Sequence, residues 1–240
     1  MITKRLDKKG VHEHNPSGRY IKSFVYGGLD GIITTFAVVA GVAGASLSAS
    51  VVLILGFANL AADGISMAFG DYLSTKAEKE YRSSEKKKEE VNLENFPRNI
   101  KKELIKIYLT QGFKKIDAEK LSSVVCKNKK ACVDVMLAYE IGIAGRKEPL
   151  KNAAITFSSF VLFGFIPLIA YVFAKSVSLF GENTFPVAAV FTCLTLFGLG
   201  SAKCKITRMN WARSGVEMLL VGGLAALTAY LIGKFISAII

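Results

Sequence analysis

Two long apolar blocks, residues 23–73 and 152–240, flank a segment, 74–151, that is dense in charge. Crossing a bilayer core as a helix takes about 20 apolar residues. In lipid, every backbone polar group must be satisfied within the spanning segment. Blocks of this length therefore predict an all-α polytopic membrane protein. Five transmembrane helices are read, over 22–45, 50–73, 152–174, 185–204 and 214–237. The first two meet in the uncharged turn Ala45-Ser46-Leu47-Ser48-Ala49-Ser50. Pro186 opens the fourth, where its missing N–H has no helical partner anyway. Pro167 lies inside the third and predicts a kink.

The expected organisation has four parts: a polar N-terminal segment (1–21), spans one and two (22–75), an inserted helical stalk and small domain (76–150), and spans three to five (151–240). The second span carries no Gly or Pro from Asp71 to Asn95, so its helix should continue until Phe96-Pro97 stops it. Three shorter helices are expected at 99–111, 117–126 with Asp117 near the N-cap, and 130–144. Gly145 and Pro149 end this part. No signal peptide is evident in the polar N-terminus.

A net charge of +12 suggests a nucleic-acid partner, but its placement argues otherwise. Of 31 Lys and Arg, 19 fall between residues 76 and 151, and only Lys175 and Lys234 fall on the opposite side. That is the positive-inside pattern. It places the N-terminus and 76–150 in the cytosol and the C-terminus across the membrane, with no nucleic acid bound.

The chemistry lies in acids within the apolar blocks: Asp30, Asp63 and Asp71. A charge at mid-bilayer costs roughly 3 kcal/mol on insertion scales, and such residues generally mark ion or proton paths. In an antiparallel hairpin turning near Ser48, Asp30 is level with residue 66, between Asp63 and Met67. Asn59, Asp63, Met67 and Asp71 recur every four residues and share one helical stripe. Small residues on both helices allow close approach. Carboxylates suit hard divalent ions, and a thioether shifts preference toward softer transition metals. The pattern points to a cation path. The structural alternative is that the acids are protonated, or bond Thr34, Thr35 and Ser66, with Met67 as packing. Glu217 is a further candidate, or a partner for Arg213.

Other signals are weaker. His12 and His14 form an H-x-H pair near the N-terminus. Cys126, Cys132, Cys193 and Cys204 lack C-x-x-C spacing and read as free buried thiols of a reducing compartment. An enzyme with a di-iron site would pair glutamates with Glu-x-x-His, and the charged segment has no histidine.

The runs Asp30-Gly31-Ile32-Ile33-Thr34-Thr35-Phe36-Ala37-Val38-Val39-Ala40-Gly41 and Ala58-Asn59-Leu60-Ala61-Ala62-Asp63-Gly64-Ile65-Ser66-Met67-Ala68-Phe69-Gly70-Asp71-Tyr72-Leu73-Ser74 resemble the vacuolar iron transporter family over nearly the whole chain. The resemblance implies a homodimer that moves Fe²⁺, often Mn²⁺ too, from the cytosol into a vacuole or similar store in exchange for protons. It implies no permanent cofactor and no enzymatic activity. A passive divalent-cation channel is the alternative. It further implies that Asp30 and Met67 line the path. Some members carry a glutamate where this chain has Asn59, and here the carboxylate stands one turn on, at Asp63. The family's metal-capturing positions correspond to Glu89, Glu103, Met136 and Glu140. Two more appear as Asn92 and Ile100. Glu85 and Glu90 are nearby substitutes, or simply part of a solvated stalk.

Overall fold

The computed structural model describes residues 20–142, 148–174, 176–177, 183–207 and 210–240. His12 and His14 lie outside the described residues, as do Gly145 and Lys175. Among those described, all regular structure is helical: α1 (Ile21–Gly44), α2 (Ala49–Asn95), α3 (Pro97–Thr110), α4 (Lys115–Val125), α5 (Lys129–Glu140), α6 (Pro149–Gly164), α7 (Ile166–Val172), α8 (Thr184–Thr207) and α9 (Trp211–Ile239). Four helices are long and apolar enough to cross a membrane, and five spans result if α6 and α7 count as one. The chain divides into two compact units, residues 73–149 and the remainder.

In the first unit, α1 packs against α7, α8 and α9. Two apolar clusters form its interior, one around Phe36, Val39, Leu60, Phe160 and Leu168, the other around Ile32, Leu196, Leu199 and Met218. Glycine makes the closest approaches. A Cβ on Gly31 would collide with the backbone of Phe160 in α6, and one on Gly233 would collide with the Gly41 carbonyl of α1. Only a residue without a side chain fits at such crossings.

The α1–α2 turn is a Schellman motif. The Ser46 N–H donates to the Ala43 carbonyl and the Leu47 N–H to that of Val42. Ser46 takes φ 55°, in the left-handed region where glycine is usual. The kink expected at Pro167 is a 42° bend between α6 and α7. Proline has no N–H to offer the Phe163 carbonyl one turn back.

In the second unit, α2 runs on to Asn95, Phe96 follows, and Pro97 opens α3. The core gathers Leu93, Ile100, Leu104, Cys132, Val133, Met136 and Leu137. Arg82 donates to the Gly142 carbonyl at 2.9 Å, just past the C-terminus of α5, where a cation complements the exposed carbonyls. Two details depart from expectation. Helix α4 starts at Lys115 rather than at 117, with Asp117 in its first turn, near the Lys114 N-cap as expected. Cys126 and Cys132 are not free thiols. They form a disulfide across the α4–α5 corner, where the chain brings their Cα atoms within 4.7 Å. Cys193 and Cys204 are free.

Candidate metal path and carboxylate cluster

The α1–α2 hairpin aligns two polar faces. Asn59 on α2 donates to the Thr34 hydroxyl on α1 at 3.5 Å. Four residues back on α1 lies Asp30, and four forward on α2 lies Asp63. That register sets Asp30 and Asp63 at one level of the hairpin. The turn centres slightly earlier than Ser48, so Asp30 is matched to Asp63 rather than to residue 66. Asn59, Asp63, Met67 and Asp71 are all half-buried. Met67 packs against the apolar cluster that holds Phe160.

The hydroxyls do not bind these acids in the way expected. Thr34 donates to the Asp30 backbone carbonyl at 2.8 Å, and the Thr35 hydroxyl is buried without a partner. Ser66 is exposed. Instead, Asp71 takes the hydroxyls. Its Oδ2 accepts from Ser23 of α1 at 2.9 Å and from Thr156 of α6 at 2.5 Å. Neither donor was singled out by the sequence, since isolated Ser and Thr in apolar helices commonly bond their own backbone. Arg213 and Glu217 are both exposed and do not pair.

In the second unit, Glu89 is buried and its Oε1 accepts from the Asn92 amide at 3.2 Å. Glu85 pairs with Lys88 at 2.6 Å. Glu103 and Glu140 are exposed on α3 and α5. Partial desolvation beside the helix surface holds the exposed Glu140 above the ordinary glutamate range, and the charges of Glu89, Glu103 and Glu85 add to that shift. Four carboxylates from three helices thus share one field. Met136 and Ile100 lie in the apolar core, 1% and 5% exposed. Among the described residues, no group of three or more His, Cys, Asp or Glu side chains is gathered closely enough to hold a metal ion.

Helices of membrane-crossing length, with acids inside the first two, define a polytopic membrane protein. Comparison with known proteins narrows the class. A profile described as the VIT family matches residues 21–234. The chain is 39% identical over 241 residues to the vacuolar iron transporter of Toxoplasma gondii, covering 98% of this chain and 80% of that protein. It is 38% identical over 237 residues to that of Plasmodium falciparum, covering 95% and 86%. It is 30% identical over 228 residues to vacuolar iron transporter 1 of Arabidopsis thaliana, covering 94% and 90%. The chain belongs to the VIT family. Its relatives are named as transporters rather than enzymes.

Proposed function

We propose that this protein carries Fe²⁺, with Mn²⁺ as a second cargo, out of the cytosol into a vacuole-like store in exchange for protons, working as a homodimer. The observation that carries this reading is the matched pair Asp30 and Asp63 inside the apolar hairpin. Two facing carboxylates offset the charge of one divalent cation, and each can also hold a proton. Metal and H⁺ then compete for the same oxygens, which is the chemical requirement for exchange. The names of the relatives supply the cargo and the membrane.

In this reading, residues 76–150 face the cytosol, consistent with their positive charge. Glu89, Glu103 and Glu140 attract the ion, and Met136 supplies a soft ligand once its helix yields it from the core. Asn92 holds Glu89 in place where the family resemblance implies a further acid. Ile100 serves the core instead of the ion. The metal then moves to Asp71, and onward to Asp30, Asp63 and Met67, where protons from an acidic lumen displace it.

Reconstituted vesicles with an imposed pH gradient test the proposal. Anaerobic Fe²⁺ uptake should require the gradient, alkalinise the lumen and fail in Asp30→Ala. Uptake indifferent to pH would refute exchange and favour a passive channel.

A further inference from the structure

Asp71 is tied to two other helices at once. Its Oδ2 accepts from Ser23 of α1 and from Thr156 of α6. Ser23 is 6% exposed and Thr156 is fully buried. Neither donor has room to retreat. Gly27, one turn from Ser23, lies against the Thr156 carbonyl and the Ser159 hydroxyl so closely that a Cβ would not fit. Ser159 in turn donates to the Thr156 carbonyl at 3.1 Å. The helices that carry the two hydroxyls are thus held together by close backbone packing.

We propose that Ser23 and Thr156 are positioning residues of the transport path. They hold the Asp71 carboxylate between three helices, and a divalent cation that takes Asp71 through both carboxylate oxygens displaces their hydroxyl hydrogens from Oδ2, which frees α1 and α6 from α2 at that level. This rests on the transport reading above. The physical reason is competition for lone pairs. A hydroxyl hydrogen aimed at Oδ2 and a cation cannot share the same site on the oxygen. Hydrogen bonds to an ionised acceptor are stronger than neutral ones, so the tie lowers the affinity of Asp71 for metal and makes metal arrival a mechanical signal. Were the hydroxyls instead ligands, their loss would weaken binding, which is the opposite sign.

The test uses the full chain in vesicles and in detergent. Thr156→Val should lower the KM for Fe²⁺ uptake by about tenfold, the scale of one charge-assisted hydrogen bond, and lower the maximal rate. Thr156→Ser should restore both values. Ser23→Ala should shift KM in the same direction, which keeps the test open if the valine variant fails to fold. A second arm needs no transport. Amide hydrogen exchange over residues 21–27 should speed up in the wild type when Mn²⁺ is added, and be fast without metal in Thr156→Val. In Asp71→Asn, Mn²⁺ should have no effect. A KM that rises or stays fixed in both hydroxyl variants overturns the proposal, as does Mn²⁺ that slows the exchange or leaves it unchanged. A wild type that takes up no Fe²⁺ yet shows the Mn²⁺-dependent exchange would sink the transport reading alone.

Discussion

Asp30 of α1 and Asp63 of α2 lie at one level, one helical turn from the Thr34–Asn59 hydrogen bond. The hydrogen bond fixes the register, and the register brings like charges together inside an apolar bundle. Such a pair is unfavourable until a cation or a proton arrives. Neutralising either acid removes half the charge that offsets a divalent ion. Asp30→Asn and Asp63→Asn should each cut Fe²⁺ uptake by about tenfold or more, since a unit charge lost beside the ion is worth about 4 kcal/mol at an effective dielectric near 20 and ~1.4 kcal/mol is already tenfold. Initial rates in vesicles at fixed external Fe²⁺ decide this, and rates equal to wild type would remove these acids from the path.

Ser46 holds a backbone conformation that costs an L side chain about 1–2 kcal/mol. It is exposed and sits at the position where a Schellman turn prefers glycine. Ser46→Gly should therefore stabilise the hairpin by roughly 0.5–1 kcal/mol after the added freedom of the unfolded chain is subtracted. Thermal unfolding in detergent should show a higher midpoint, with uptake unchanged.

Backbone contact at Gly31 leaves no space for a side chain, because a Cβ would strike the Phe160 carbonyl. Gly31→Leu should abolish folded protein, as judged by gel filtration in detergent. Gly223 has nothing within 4 Å of the same position. Gly223→Ala should be tolerated and gain up to about 1 kcal/mol of helix propensity. Equal behaviour of the two variants would contradict the packing described for α1 and α6.

The carboxyl of Glu140 is raised by partial desolvation and then by Glu89, Glu103 and Glu85. In the window between the ordinary glutamate value of 4.5 and the raised one, the folded chain holds a proton that the unfolded chain has lost. Stability from this group is therefore complete below the ordinary value and falls as pH rises through the raised one. Glu140→Gln removes that loss. Its unfolding midpoint should exceed wild type near pH 7 and match it near pH ~4. Solvent screens an exposed carboxylate, so the gain is small. A variant less stable than wild type at neutral pH would show that the four charges do not repel as described.

Much of this was legible from the chain itself. The apolar blocks marked the membrane-length helices, the missing Gly and Pro after Asp71 marked the long run of α2, and Pro167 marked the bend. Spacing by fours brought out Asn59, Asp63, Met67 and Asp71, because helical period is local information. Partnerships across the chain were not local. Ser23 and Thr156 lie 48 and 85 residues from Asp71, and only the folded helices bring them to it. The run Thr156-Phe157-Ser158-Ser159 was the one available hint, a patch of hydroxyls early in an apolar span. Met136 and Glu140 do lie on one helical face, but spacing alone could not show that Met136 turns into the core while Glu140 meets solvent. Cys126 and Cys132 were read as free thiols because their pairing depends on the sharp corner between α4 and α5, which no spacing rule encodes.

The glycine crossings have a mechanical corollary. Helix α1 touches α6 through Gly31 and α9 through Gly44 and Gly233, atom to atom along the main chain. No rotamer there can swing to absorb a shift, so these three helices must travel as a single rigid spine. In the proposed transporter, any rocking of helices therefore has to take place away from these three contacts.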